Sequence, residues 1–185
     1  MSAPPKYSRP EFERRFRVVV ERLPPLDPAA ARLIEDRYID GSRLRLRRMS
    51  GGGAETVHKF CKKYGGGVPG EPIVNIYLSE AEYALLAALP GRNLVKRRVL
   101  LDVGATRFGV DLFENPHAGL MLCEVEAESQ AELEGIVLPD WIGTEVTGDA
   151  AFTGAALAVE RAPIHREGPN PITATAVTER ILPHR

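Results

Sequence analysis

The sequence lacks the features that would indicate a secreted, disulfide-rich or membrane-spanning protein. Its only cysteines are Cys61 and Cys123, which lie far apart without the spacing of metal ligands. Free thiols are typical of a reducing compartment, so we expect a cytoplasmic protein. No apolar run reaches the length of a membrane span, and residues 1–9 lead into charged residues rather than into the apolar core of a signal peptide.

An excess of charge of one sign is also absent. The 24 lysines and arginines balance 25 acidic residues, which gives a net charge of −1. Such a chain has no overall attraction to nucleic acid or to a membrane surface, and we expect neither as a partner. A length of 185 residues is compatible with one domain that has a sizeable core. The useful information therefore lies in how the charges are arranged along the chain.

Charged side chains recur at every second position of the predicted strands. Side chains two residues apart in a strand lie on the same face, so Glu11, Glu13 and Arg15 share one face of the first strand. The same spacing recurs in residues 43–47, 59–63, 96–98 and 124–126.

Each of these stretches alone is more typical of a sheet face in contact with water. Their recurrence, with acids on the first and last strands and bases between them, favours a closed sheet whose interior is charged. Charge in such an interior must be paired, hydrated or bound to ions. Eight strands can close into a barrel wide enough to hold one ligand. Since helices are expected in the connections, we predict an α+β fold. Its centre is an eight-stranded antiparallel closed β-barrel, or tunnel, with helices in the connections.

The predicted elements follow from local signals. Residues 1–10 are predicted to form a flexible arm, residues 11–159 the domain, and residues 160–185 an extended or disordered tail. Strands are predicted over 11–21, 37–40, 43–49, 56–64, 73–78, 94–103, 106–114 and, as the last strand, 120–127. A helix is predicted over 29–36 after Asp27-Pro28. Two more are predicted to start at the capping-box patterns of Ser79 and Ser129 and to end at 89 and about 135, and a fourth lies within 151–159. Residues 139–149 are predicted to be irregular.

The two sets of charges suit two different ligands. Carboxylates suit Mg²⁺ or Mn²⁺, which prefer oxygen ligands and share their coordination with phosphates. Arginine and lysine suit a chain of phosphates, since Arg binds in a bidentate manner and Lys acts as a point charge. The four histidines are scattered, and no serine or cysteine nucleophile pattern is visible.

Taken in order, these motifs resemble those of the CYTH domain, or triphosphate tunnel metalloenzyme, family. The opening Glu11-Phe12-Glu13-Arg14-Arg15 is similar to the family signature Glu-x-Glu-x-Lys, with Arg in place of Lys. The likeness continues through residues 37–39, 44–47, 60–63, 76–83, 94–98, 110–113, 119–126 and 139–147. One such motif is weak, whereas the whole ordered set is specific.

The resemblance implies a tunnel that binds a small-molecule triphosphate together with Mg²⁺ or Mn²⁺. Carried over position by position, the implied metal ligands are Glu11, Glu13, Asp111, Glu124 and Glu126. The implied phosphate-binding residues are Arg15, Arg45, Arg47, Lys63, Lys96 and Arg98. Lys63 is preferred because it shares a strand face with Lys59 and Cys61, whereas a slip of one residue would place Lys62 inside.

Two departures from the family pattern affect the expected chemistry. In several hydrolases of the family the opening Lys, paired with a Tyr, is thought to activate water. Tyr38 resembles that Tyr, but Arg15 replaces the Lys, and a guanidinium does not take up a proton near neutral pH. Arg15 and Tyr38 are nevertheless the predicted catalytic residues. The acidic middle-strand motif of the family is absent from residues 71–77, so we expect less negative charge on that wall.

The predicted function is metal-dependent hydrolysis of a triphosphate compound, which is inorganic triphosphate or an organic one such as thiamine triphosphate or a nucleoside triphosphate. One alternative is a module that binds triphosphate or polyphosphate with little or no turnover. Another is an adenylate cyclase on the same scaffold, and the least specific is a soluble barrel with a charged surface. The sequence leaves open the substrate, the metal and the assembly, including a homodimer.

Overall fold

A computed structural model describes residues 4–65, 69–114 and 116–158 of the chain. Nine strands are found in these residues: β1 (Arg9–Val18), β2 (Arg32–Ile39), β3 (Leu44–Gly51), β4 (Val57–Lys63), β5 (Glu71–Leu78), β6 (Gly91–Val103), β7 (Thr106–Phe113), β8 (Met121–Ala127) and β9 (Ile142–Glu145). Three α-helices accompany them: α1 (Glu80–Ala87), α2 (Gln130–Glu134) and α3 (Gly154–Leu157). No helix in the described ranges is long and apolar enough to cross a membrane.

Eight of the strands close into an antiparallel barrel in the order β5-β4-β3-β2-β6-β7-β8-β1. The ring closes because one edge of β1 pairs with β5 over Arg9, Pro10 and Glu11. Further along the same edge, β1 pairs with β9 at Phe16 and Val18. The predicted eight-stranded tunnel is therefore confirmed, and β9 is an additional short strand beside it.

The helix predicted over residues 29–36 is wrong. Asp27 does cap a turn, since its side chain accepts a hydrogen bond from the Ala29 N–H, but this is a 3₁₀ turn that spans only Pro28–Ala30. The chain then enters β2 at Arg32, so the strand predicted over 37–40 is only its second half. β2 pairs with β3 on one edge and with β6 on the other, and these two ladders outweigh the helical propensity of the alanines.

Several predicted boundaries also need correction. β1 ends at Val18, before a 3₁₀ turn over Val20–Arg22, and it begins at Arg9, inside the predicted arm. Residues 142–145 are not irregular but form β9, so β8 is not the last strand. The tail predicted over 160–185 lies outside the described residues.

The predicted capping residues Ser79 and Ser129 start two helices on the outside of the barrel. Ser79 and Glu82 form the complete capping box that starts α1, and this helix contacts β3, β4 and β5. Ser129 caps α2 by accepting from the Glu132 N–H, but the Glu132 carboxylate accepts from Glu128 instead of returning the bond. The helix predicted within 151–159 is a 3₁₀ turn over 150–152 followed by α3.

The main apolar core lies on the outer face of the barrel wall. Because side chains alternate along a strand, the residues between the charged positions of β1, β7 and β8 point outward. They pack against α2 and the segment that contains Trp141, in a buried cluster that includes Phe16, Phe108, Val110, Cys123, Val125, Leu133 and Trp141. Burying a side chain of this kind contributes about 2 kcal/mol. The largest apolar cluster of the described residues therefore lies outside the barrel.

A second apolar cluster covers one end of the barrel. Leu94, Phe113 and Leu122 face inward near that end and pack against Val146 and Leu157. The chain from 146 to 158, which includes α3, therefore lies across this opening. Both cysteines are buried and free, as predicted from their spacing.

Candidate active site in the barrel interior

The barrel encloses a cavity of about 440 Å³, to which all eight strands of the ring contribute side chains. Every predicted site residue except Asp111 lines it. These residues are Glu11, Glu13, Arg15, Tyr38, Arg45, Arg47, Lys63, Lys96, Arg98, Glu124 and Glu126. Residues of both charge signs therefore face one enclosed space.

The register of β4 places Lys63, and not Lys62, in this cavity. Lys63 forms ion pairs with Glu11 of β1 and, at 3.7 Å, with Glu71 of β5. The ammonium group of Lys62 instead lies 4.9 Å from the ring centroid of Tyr64. The face predicted from the positions of Lys59 and Cys61 is therefore the one that lines the cavity.

Arg15 bonds to three acceptors from different parts of the chain. Its Nε donates to Glu124 Oε1 at 3.0 Å, its Nη2 to Glu13 Oε1 at 2.6 Å and its Nη1 to the Phe152 carbonyl at 3.2 Å. Burial lowers the pKa of Arg15, but the Glu124 and Glu13 carboxylates outweigh burial and raise that pKa above its usual value. Arg15 is thus a permanent cation and cannot accept a proton from water.

Tyr38 also keeps its proton at neutral pH. Burial, followed by the charge of Asp36, raises the pKa of the Tyr38 hydroxyl, although Arg45 and Arg47 act in the opposite direction. The Cα of Gly154 lies so close to this hydroxyl that a β-carbon there would overlap it. Tyr38 therefore lies where α3 meets the barrel wall.

The carboxylates of β1 and β8 crowd one side of the cavity. Glu13 lies directly opposite Glu126 in the ladder between these strands. Burial, and next the charge of Glu124, raise the pKa of Glu13 to about 7 even though Arg15 and Lys63 oppose this. Burial and the charges of Glu11 and Glu124 likewise raise the pKa of Glu126. Carboxylates that are hard to ionise together would be stabilised by a cation.

The same carboxylates fit Mg²⁺ or Mn²⁺ in kind but do not converge on one point. Their oxygens are the ligands that these ions prefer. Within residues 4–65, 69–114 and 116–158, no three acidic, histidine or cysteine side chains lie close enough together to hold an ion. Glu11 and Glu13 are engaged with Lys63 and Arg15, so both would have to turn from these partners to reach a metal.

Asp111 lies behind the cavity wall rather than at its surface. Its side chain is fully buried, and Lys96 Nζ donates to its Oδ2 at 2.5 Å. Arg98 donates to both carboxylate oxygens at 2.6 Å. Asp111 therefore contacts two predicted phosphate-binding residues but, unlike the other predicted metal ligands, does not face the cavity.

Two further acidic residues escaped the sequence analysis. Glu71 lines the cavity beside Lys63, so it supplies a carboxylate on the wall that was expected to carry less negative charge. It was missed because the predicted strand began two residues later. Asp36 is buried against Arg47 and was missed because residues 29–36 were predicted to be a helix. Alternation with Tyr38 was the signal that would have placed Asp36 on the inner face.

Eight antiparallel strands closed around a charged cavity form a tunnel of the kind that the resemblance to the CYTH family implies. No protein-family model and no curated protein matches the chain. Among solved structures, it is similar to the inorganic triphosphatase NE1496, with 25% identity and a TM-score of 0.53 over 83% of this chain and 97% of that one. A second structure of NE1496 matches with 26% identity and a TM-score of 0.53, over 80% of this chain and 97% of that one.

A more distant structure shares the fold alone. A proposed adenylate cyclase from Bacillus halodurans has 15% identity and a TM-score of 0.50, over 70% of this chain and 86% of that one. Together with the ordered motifs, these similarities confirm the resemblance to the CYTH, or triphosphate tunnel metalloenzyme, family.

Proposed function

We propose that the protein is a metal-dependent hydrolase that releases phosphate from a triphosphate compound inside the barrel. The observation that carries this proposal is the enclosed cavity in which cations of β1, β3, β4 and β6 face carboxylates of β1 and β8. The similarity to an inorganic triphosphatase over most of both chains supports the same reaction class. The substrate is inorganic triphosphate or an organic triphosphate such as thiamine triphosphate or a nucleoside triphosphate.

The basic side chains would bind the phosphates. Arg45 and Arg47 approach from β3, Lys96 and Arg98 from β6, and Lys63 from β4. Guanidinium groups bind phosphate oxygens in a bidentate manner. As the terminal phosphoryl group transfers, these cations would neutralise the charge that develops on its oxygens and on the leaving group.

The carboxylates Glu11, Glu13, Glu124 and Glu126 would hold Mg²⁺ or Mn²⁺. When bound, the ion supplies a Lewis acid for the phosphate oxygens. Glu13 and Glu11 now neutralise Arg15 and Lys63, and would have to turn from these partners to hold the ion. In that arrangement Arg15 and Lys63 would both be available to the substrate.

Arg15 and Tyr38 would orient the reacting groups without abstracting a proton. The Arg15 cation is held by Glu13 and Glu124, and burial keeps Tyr38 protonated at neutral pH. The proton of the attacking water must therefore go to another acceptor. The carboxylates that face the cavity are the side-chain acceptors which the barrel offers.

The direct test is phosphate release from tripolyphosphate, thiamine triphosphate and ATP, each with Mg²⁺, with Mn²⁺ and with a chelator. We expect release from at least one substrate that depends on the metal. No release from any substrate with either metal would overturn the proposal. Production of cAMP from ATP would instead favour the cyclase alternative.

A triphosphate-binding module with little turnover is the second candidate. It is favoured by the protonated state of Arg15 and Tyr38, since neither can activate water as a base. Calorimetry separates the two candidates, because tight binding of tripolyphosphate without phosphate release supports the module. The cytoplasmic location and a homodimer stay predictions.

A further inference from the structure

Asp36 is a buried carboxylate that none of the proposed steps uses. Its side chain is 1% exposed, and in the ladder between β2 and β3 it lies directly opposite Arg47. Arg47 donates from Nε to Oδ1 at 2.6 Å and from Nη2 to Oδ2 at 2.7 Å. Arg45 Nε lies 3.8 Å from Oδ1, beyond hydrogen-bond distance.

This arrangement fixes the Arg47 guanidinium and leaves one of its nitrogens for a ligand. A bidentate pair sets the plane of the guanidinium, so Arg47 is held in one orientation with only its third nitrogen, Nη1, unused by Asp36. Arg45 Nε is buried and has no hydrogen-bond partner. The Arg47 side chain loses its conformational entropy when the protein folds. Binding of a phosphate to Arg47 therefore does not require a further loss of this entropy.

Asp36 itself does not touch the cavity, whereas Arg45 and Arg47 both line it. We propose that Asp36 is a positioning residue, which holds Arg47 in the orientation that binds a phosphate of the substrate and thereby sets the affinity for triphosphate. This inference rests on the proposed function, because it assumes that Arg47 contacts the polyanion.

Asp36 stays ionised wherever the proposed reaction would run. Burial raises the pKa of this carboxyl, but Arg47 and Arg45 outweigh burial and lower it to about 2. Its charge also cancels that of one of the two arginines. Without it, two partly buried guanidinium groups would repel each other, and Arg47 would be free to adopt several rotamers.

The test is a double-mutant cycle of Asp36→Asn and Arg47→Lys, read by calorimetric binding of tripolyphosphate and by steady-state hydrolysis. We expect Asp36→Asn to weaken binding about tenfold, as for one well-oriented charged hydrogen bond. The KM should rise by the same factor with kcat nearly unchanged, because the contact exists in both ground and transition states. In the Arg47→Lys background the added effect of Asp36→Asn should be less than about twofold, since the two residues act through one contact.

A matched control is present on the barrel surface. Asp102 and Arg107 form the same bidentate pair at 2.7 and 3.1 Å, but both side chains are exposed. Asp102→Asn should change neither binding nor KM. The proposal is overturned if Asp36→Asn behaves like Asp102→Asn, if its effect is undiminished in the Arg47→Lys background, or if kcat falls while KM stays constant.

A second measurement applies if Asp36→Asn does not fold. The Nε–H signal of Arg47 in the wild-type NMR spectrum, assigned by its loss in Arg47→Lys, should exchange slowly with water, because the bond to Asp36 is buried. The signal should persist at saturating tripolyphosphate, and its loss there would overturn the proposal. If the wild-type protein binds tripolyphosphate without hydrolysing it, only the proposed function is wrong. If it does not bind tripolyphosphate, both the proposed function and the inference about Asp36 are wrong.

Discussion

Arg15 and Glu124 lie directly opposite each other in the ladder between β1 and β8, and Arg15 Nε donates to Glu124 Oε1 at 3.0 Å. The same carboxylate forms an ion pair with Arg98 and lies 3.9 Å from Lys96 Nζ. Glu124 thus serves cations from two strands. The acidic and basic residues of the cavity are therefore connected through Glu124. A substitution there should affect both the proposed metal site and the cations that would bind phosphate.

We therefore expect Glu124→Gln to reduce kcat for metal-dependent phosphate release by at least about 100-fold, a loss of about 2.7 kcal/mol in transition-state stabilisation. The variant removes a proposed metal ligand and leaves Arg15 and Arg98 without a shared anion. The measurement is phosphate release from the preferred substrate across a Mg²⁺ and Mn²⁺ titration. Glu145→Gln is the control, because Glu145 pairs with Arg14 outside the cavity. Unchanged metal-dependent turnover in Glu124→Gln would show that the ligand assignment is wrong.

Arg15→Lys should change the pH dependence of hydrolysis. The guanidinium holds its proton at all accessible pH values, whereas a lysine beside the same carboxylates can lose one at alkaline pH. We expect the variant to gain a rise in kcat above about pH 9, near the range where lysine titrates, that the wild-type protein lacks. The measurement is a pH–rate profile of both proteins under saturating metal. Coincident profiles would exclude proton transfer at this position.

Asp111→Asn should destabilise the fold strongly. The substitution removes the carboxylate that neutralises the buried Lys96 and the partly buried Arg98. Breaking a buried ion pair from one side costs about 3–5 kcal/mol in free energy of unfolding. Urea denaturation measures the effect, with Asp102→Asn as the control at an exposed pair, for which little change is expected. A loss at Asp111 as small as that at Asp102 would contradict a buried role.

Glu13→Gln should stabilise the metal-free protein increasingly as the pH rises. Burial and then Glu124 raise the folded-state pKa of Glu13 from 4.5 to about 7. The carboxyl is protonated in both states below pH 4.5, and between 4.5 and 7 only the unfolded state ionises, so wild-type stability falls as the pH rises through this range. Glutamine stays neutral and removes this penalty.

Melting temperatures of both proteins from pH 4 to 8, in a chelator, test this expectation. Glu145→Gln provides the opposite sign, because its hydrogen bond from Arg14 lowers the pKa of Glu145 and its charge stabilises the fold above the unfolded-state pKa. A difference between Glu13→Gln and wild type that does not grow with pH would contradict the raised pKa.

The inner face of the barrel was predictable because strand alternation is a local rule. Glu11, Glu13 and Arg15 could be placed on one face from their spacing, and the same rule selected Lys63 over Lys62. The rule does not predict how deeply a side chain on the inner face is buried. Asp111 has the same parity as residues that face the cavity, but Lys96 and Arg98 from the neighbouring strand cover it.

The missed features depend on contacts that are remote in sequence. The sequence of residues 32–36 is compatible with the end of a helix, because their pairing with β3 and β6 depends on residues remote in the chain. Asp36 was therefore not recognised as a residue of the inner face. β9 is only four residues long and exists because β1 extends beyond its pairing with β5. Short strands of this kind take their conformation from the edge to which they bind.

Phe16, Phe108 and Trp141 lie on the outer side of the wall, so the main apolar core is separate from the charged residues that would meet the ligand. The rest of the tunnel lining can change while this outer packing and the buried pairs of Asp111 stay constant. Substrate preference in such a barrel is therefore free to evolve faster than its architecture.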